Sequence, residues 1–425
     1  MDKLAILGGQ QIFKKSFKLY NSIGPEEQAA VAKVMKSGNL SAFLGTWSKG
    51  FLGGAYVQEH EAAWKAMFGV NHAVSMNSAT SCLYSAIGAI GVGPGDEVIV
   101  SPFTMTASAT AILAFNAIPV FVDIDPLSFN LSPDLIEKSI TTRTKAIIVP
   151  NIFGLPADYT KIMAIARHHG LKVIEDNAQA ILATYGDKYA GTIGDIGVFS
   201  LNYHKHIHTG EGGVCLTDND ELAERLQLIR NHAEAVVGDK GTKNLINMIG
   251  FNFRMGELEA AIGIAQLQKV KSVIDKKRDE AAQLSKVLKT LPHILIPDIP
   301  KSCTHSFYIY PILYKSKSVS RETILSALEK EGVPVAGGYV EPLYLQPLYQ
   351  NLTGYGDKGC PFKCPHYSGT LNYTPGLCPT AEHMHARELF FIPLCMYDFT
   401  KDQISMIGKA FVKVFNQYKE LEGNV

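Results

Sequence analysis

Between residues 73 and 217 the chain alternates short apolar runs with longer amphipathic stretches. The runs fall at 73–76, 97–100, 118–122, 145–150, 172–176, 198–200 and 214–217, with amphipathic stretches at 82–90, 101–115 and 159–169. The runs are continuous rather than alternating in polarity. A strand exposed on one face alternates, whereas a continuous run needs cover on both faces, which helices between parallel strands provide. The pattern predicts an α/β fold around a mainly parallel sheet. Ligands of such sheets bind beyond the carboxyl ends of the strands. The loops expected there are 78–81, 101–105, 151–154 and 176–179.

The flanks read differently. Residues 23–36 and 57–68 have helical periodicity, and Gly24-Pro25 opens the first of them. Residues 45–54 form a glycine-rich loop. Residues 257–273 and 276–291 make a long helical stretch, a connector between domains or one helix of a dimer interface. Strands at 307–313 and 390–394, a serine-capped helix at 320–330 and a closing helix at 401–421 complete a smaller α+β unit. The expected division is an N-terminal arm with helices (1–60), a large domain (61–255), and a connecting helix with the smaller domain (256–425).

Composition narrows the classes. A chain of 425 residues suits one large and one smaller domain. Its 40 Lys and Arg balance 40 Asp and Glu, so it lacks the footprint for nucleic acid or an anionic membrane. No apolar run approaches the length of a membrane span, and the N-terminus has no signal-peptide layout. Seven scattered cysteines read as reduced thiols, so a cytoplasmic location is expected.

The chemistry gathers around residues 199–214. There Lys205 sits among His204, His206 and His208, just before Gly210-Glu211-Gly212-Gly213. A buried lysine loses its charge readily and becomes a nucleophile; a solvated basic loop before a hairpin would use the same residues. The helix entry Asn77-Ser78-Ala79-Thr80-Ser81 can offer free amides to a phosphate, or be an ordinary N-cap. Asp176 ends an apolar run, with Gln179 three residues on. An amine, a carboxylate, a phosphate cradle and a soft ring cover are the four parts that pyridoxal 5'-phosphate (PLP) chemistry needs. Each stands at an expected strand end.

With these residues the sequence resembles the DegT/DnrJ/EryC1/StrS sugar aminotransferases, PLP-dependent enzymes of aminotransferase fold type I. The resemblance runs from about residue 23 to the last helix. It rests on Asn77–Thr80, 93–99, 175–179, 194–200, Lys205 with 209–213, 230–232, 250–255 and 257–261. It implies a large domain with a mainly parallel seven-stranded sheet and a smaller C-terminal α+β domain. It makes Lys205 the Schiff-base lysine and proton shuttle, pairs Asp176 with the pyridine nitrogen, and sets Gln179 near the ring oxygen. Ser78, Ala79, Thr80 and Ser200 would hold the phosphate. Asn252 would reach the cofactor of a neighbouring subunit, which implies a homodimer with shared active sites. The implied reaction moves an amino group from an amino acid, glutamate, to a keto sugar, nucleotide-linked.

The same fold carries PLP- or pyridoxamine-dependent sugar dehydratases, with histidine in place of the lysine, and non-catalytic PLP-binding regulatory relatives. Counting from Ser200 puts Lys205 in the lysine column and His206 one place beyond. Transamination is therefore expected, and His206 is the residue to watch. The histidines, when charged, are expected to lower the pKa of Lys205.

Two stretches depart from the family pattern. Met105 stands where an aromatic usually covers the ring; a thioether can also do so, or Phe103 stacks instead. Residues 353–380 are long for the family and carry Cys360, Cys364 and Cys378. Their spacing lacks the paired knuckles of a metal site, so no metal is expected. The segment is expected to be a rigid loop capping the site, with Tyr339, Glu341, His366 and Tyr367 as candidates for substrate contact.

Overall fold

The computed structural model of the protein describes residues 2–422. Its centre is a seven-stranded sheet in the order β1-β7-β6-β5-β4-β2-β3. The strands are β1 (His72–Met76), β2 (Glu97–Val100), β3 (Ile118–Phe121), β4 (Thr144–Pro150), β5 (Lys172–Asp176), β6 (Ile196–Ser200) and β7 (Gly213–Thr217). Only β7 runs against the others; it pairs antiparallel with both β1 and β6. The continuous apolar runs have their physical reason here. Val98, Val100 and Ile148 pack into one core, while Ile99, Ile147 and Val149 pack into another on the opposite face.

Helices α1 (Pro25–Ser37) and α2 (Ala55–Phe68) precede the sheet, and α3 (Ala79–Ala89) follows β1. Helix α4 spans only Ala107–Ala114; residues 101–106, expected as its first turns, form a loop. Pro102 biases Ser101 away from helical backbone, and the Ser101 hydroxyl accepts the Phe103 amide at 3.1 Å instead. A helix at Asp220–Arg230, capped by Asn219, was not read from the sequence.

Helix Glu257–Leu288 is unbroken. Its first half (Ala260, Leu267, Val270) packs with Trp64 and Phe199, and its second half (Ala281, Leu284, Leu288) packs in the core of the smaller unit. It thus serves both cores, as a connector would. The smaller unit is a four-stranded sheet (Ile294–Leu295, Tyr310–Tyr314, Leu389–Ile392, Ala336–Gly337) covered by helices Arg321–Lys330 and Lys401–Asn416.

The two cores interleave along the chain rather than dividing at residues 60 and 255. Leu4, Phe13 and Phe17 pack in the smaller core. Conversely Tyr344, Tyr349, Phe362, Tyr373 and Cys378 pack in the large one. The long segment near 340–381 therefore does not cap the site. It covers the sheet edge at β3, where an open strand would invite further pairing. The Phe121 ring lies 5.8, 5.2 and 5.6 Å from those of Tyr344, Tyr349 and Tyr373, and the Tyr373 hydroxyl donates to the Pro119 carbonyl at 2.9 Å. Tyr367 donates to Glu97 at 2.9 Å, at the amino end of β2, and the His366 backbone lies against Gly95. The side chains of His366 and Glu341 face solvent. None of the seven cysteines is in a disulfide. Among the described residues no helix is long and apolar enough to cross a membrane.

Candidate active site

A pocket opens beyond the carboxyl ends of β4, β5 and β6, where a parallel sheet places its ligands. It is lined by Ser78, Ala79, Thr80, Met105, Asp176, Gln179, Ser200 and Lys205 from the expected set, together with Asn151, Asn202, His204 and Glu211.

The loop carrying Lys205 is closed on itself. After Ser200 ends β6, the Leu201 amide donates to Gly212 O and the Thr209 amide to Leu201 O, both at 2.9 Å. Lys205 N bonds Asn202 O at 2.9 Å, and the Thr209 hydroxyl donates to Glu211 O at 2.7 Å. Gly210 takes φ +86°, a left-handed turn that a side chain would strain. Gly213 allows a close approach: a Cβ there would come within 2.5 Å of the Ala79 amide nitrogen. The start of α3, with Ala79 and Thr80, thus lies against β7 and lines the pocket. Ser78 caps this helix by accepting the Ser81 amide at 3.0 Å, while the Ala79 and Thr80 amides precede any intrahelical bond.

Asp176 is buried; it accepts the Ser108 hydroxyl at 2.8 Å and the Ala178 amide at 3.1 Å. Burial raises its pKa, against those two bonds and the nearby Lys205 charge. The Lys205 amine is enclosed, and burial lowers its pKa to about 8, with Asp176 and Cys395 pulling the other way. The histidines are not the cause. Burial holds His204 near 4 and His206 near 3, and lowers His208 as well. They are uncharged at neutral pH and cannot repel the ammonium, which corrects that expectation.

Other candidates sort by position. Met105 is on the pocket wall and 54% exposed; Phe103 is wholly buried behind it, edge-on to Tyr339 and Phe153. Gln179 accepts the Phe153 amide at 2.7 Å and donates to the Tyr339 hydroxyl at 2.5 Å, so Tyr339 braces Gln179. The His206 ring points away from the pocket, is 1% exposed, and donates to Ser306 O at 2.8 Å. Asn252 is exposed, its amide oxygen accepting from Arg254 at 2.8 Å, and lies outside the pocket of its own chain. Sequence reasoning missed Ser108, Asn202 and Tyr308. Tyr308 lies in the turn before strand Tyr310–Tyr314 of the smaller sheet, packed against the large core, and its ring centre lies 4.5 Å from Lys205 Nζ; only long-range pairing could have revealed it.

The profile of the DegT/DnrJ/EryC1/StrS aminotransferase family matches residues 21–374. The chain belongs to that family. The L-glutamine:2-deoxy-scyllo-inosose aminotransferase of Micromonospora echinospora is 30% identical over the whole of both chains. The GDP-perosamine synthase of Caulobacter vibrioides is 36% identical over 70% of this chain and 80% of its own. The aminotransferase structure from Psychrobacter cryohalolentis superposes with a TM-score of 0.80 at 27% identity, covering 94% of this chain and 99% of that one. As a family member the protein is a PLP-dependent transaminase, one of the sugar aminotransferases.

The pocket fits that cofactor. Its free amides at the start of α3 suit a phosphate. The buried Asp176 carboxylate suits a protonated ring nitrogen. Asn202 Oδ1, buried and without a hydrogen-bond partner, keeps acceptor capacity for a bound molecule.

Proposed function

We propose that the protein transfers an amino group from glutamate to the ketone of a nucleotide-linked sugar, with Lys205 as the catalytic residue. The observation that carries this reading is one pocket holding the Lys205 amine, the Asp176 carboxylate and the amides of Ala79 and Thr80. Bound there, PLP supplies an aldehyde that takes up the amine and a ring that absorbs the electron pair left at the α-carbon. Lys205 Nζ would take the proton from the donor's α-carbon as a general base and, in the second half-reaction, deliver a proton to the acceptor's former ketone carbon as a general acid. A pKa of about 8 suits both duties, because each protonation state is populated near neutral pH. Asp176 holds the proton at the ring nitrogen. Ser78, Ala79, Thr80 and Ser200 hold the phosphate, Gln179 stands at the ring oxygen, and Met105 covers a ring face.

Asn252 serves the pocket of a second subunit in this reading. Leu245, Ile246 and Ile249, 58%, 62% and 69% exposed on the preceding loop, are the kind of apolar surface a partner copy would cover. Seven unpaired cysteines favour a cytoplasmic location.

A second reading concerns the substrates. The Micromonospora relative matches over its full length, and its name gives L-glutamine as donor and an acceptor with no nucleotide. One experiment separates the two. The purified PLP-loaded protein is offered glutamate or glutamine with a panel of ketones, with and without nucleotide carriers, and the 2-oxo acid and amine products are quantified. Equal yields of both products from glutamate and a nucleotide-linked ketone are expected. Turnover only with glutamine and carrier-free ketones selects the second reading, and no amine product from any pair overturns both.

A further inference from the structure

Lys205 does not rest against a carboxylate. Its Nζ lies over the face of the Tyr308 ring, 4.5 Å from the centroid. An ammonium over an aromatic face is attracted by the negative side of the ring quadrupole, more strongly where water is excluded.

The ring is held there by the backbone. Phe307, just before it, takes φ +52°, a left-handed conformation that costs a bulky side chain energy and persists only where the surroundings impose it. Ser306 N donates to Gly154 O at 2.9 Å, and the Ser306 hydroxyl to Ile181 O at 2.6 Å. Tyr308 N donates to Phe153 O at 2.9 Å, and Tyr308 O accepts from Cys395 N at 3.2 Å. His206, next to the lysine in sequence, donates its ring N–H to Ser306 O at 2.8 Å. The tyrosine turn is thus fixed to Phe153, Gly154, Ile181 and Cys395, and the His206 bond ties it to the lysine loop.

We infer that Tyr308 is a positioning residue for Lys205, its ring face seating the free amine over the pocket, with His206 as the fastening between the two loops. This rests on the reading of Lys205 as the catalytic lysine. It assigns the turn that leads into the smaller sheet a part in the chemistry: it delivers the surface against which the lysine waits when not bonded to the cofactor. The charged or titratable groups facing Lys205 are Asp176 at the end of β5, Cys395 from the smaller unit, and His204 and His206 on its own loop. The histidines are neutral above pH 5, so the ring acts alongside Asp176 and against burial.

The test is pulse acetylation of the full-length chain across pH, with Lys205 followed by peptide mass spectrometry and the exposed Lys172 as internal reference. The wild-type labelling midpoint is expected near 8. Tyr308→Phe keeps the π face and should leave the midpoint within about 0.3 unit. Tyr308→pentafluorophenylalanine keeps the shape but reverses the quadrupole, so the midpoint should fall by about one unit. Labelling at pH 7 would then be about five-fold faster. Tyr308→Leu should fall likewise, and the two ring variants decide the matter if it does not fold. A midpoint that stays put or rises on fluorination, or that drops as far in Tyr308→Phe, overturns the inference. Added PLP should protect Lys205 from acetylation in the wild type. If it protects a different lysine, the functional reading of Lys205 fails, while the midpoints still report on the ring.

Discussion

The protein gathers polar and aromatic side chains in two places and treats them in opposite ways. At the carboxyl ends of β4–β6 the groups keep capacity in hand. Asn202 Oδ1 has no partner, the Ala79 and Thr80 amides precede any intrahelical bond, and the Lys205 amine lies on a ring face. At the amino end of β2 and along β3 the carboxylates are spent. Glu97 accepts from the hydroxyls of Thr141, Thr144 and Tyr367 and from Arg143 Nε; Asp123 accepts the amides of Ile124, Thr380 and Ala381. Composition does not distinguish the two regions, since both are rich in the residue types that build sites. Saturation does. A buried polar group without a partner costs free energy, and one that lines a pocket, as Asn202 does, can be satisfied by what binds there.

The largest effect that tests this contrast is at Lys205. Lys205→Ala should lower kcat by at least about 10²–10⁴-fold, the usual contribution of a positioned proton-transfer group, with an unchanged urea midpoint. Substantial remaining turnover would mean that the open pocket is not where the proton moves. Glu97→Ala should do the reverse. It strands Arg143, Tyr367 and two threonine hydroxyls, and should cost about 2–3 kcal/mol of stability, the scale of lost bonds to a charged group. Urea denaturation measures this, and kcat per folded molecule should not change. If activity falls while stability holds, the edge cover belongs to the site after all.

Much of this was legible in the sequence because its cause is local. Double-sided burial writes continuous apolar runs, so the strands of the large sheet are readable. Serine at position 320 caps its helix by accepting the Thr323 amide, as serine before an amphipathic stretch should. Asp176 and Lys205 are readable since the first ends a strand and the second lies in the glycine-closed loop after the next one. What failed was what long-range packing decides. The aromatic segment beyond Tyr339 carries the same letters as a substrate cap, and only Phe121 and Pro119 on the edge strand show what it covers. Ser108 looks like any helix serine until β5 brings Asp176 to it. The direction of the His206 ring is set by a turn in the smaller unit, so its neighbour in sequence could not reveal it.

His206 gives the smallest effect and the finest test, because it lies next to Lys205 in the chain yet belongs with the spent groups. Its ring is buried and neutral, held near pKa 3 by desolvation despite the bond to Ser306 O. An unfolded histidine titrates near 6.5. Between pH 6.5 and 3 the unfolded chain therefore binds a proton that the folded chain refuses. The stabilising contribution is full above pH 6.5 and is lost as the pH falls through that window. His206→Gln retains an N–H for Ser306 O but cannot titrate. Its urea midpoint should stay close to the wild type at pH 8 and decline less steeply from pH 6.5 towards 4. Some decline should persist, because His60 and His305 are buried and held near 3 as well. An acid limb as steep as the wild type's would show that the imidazole is not buried neutral. A loss of turnover as large as that of Lys205→Ala would move His206 from the spent groups into the pocket, and the contrast between the two regions would fail at the residue beside its centre.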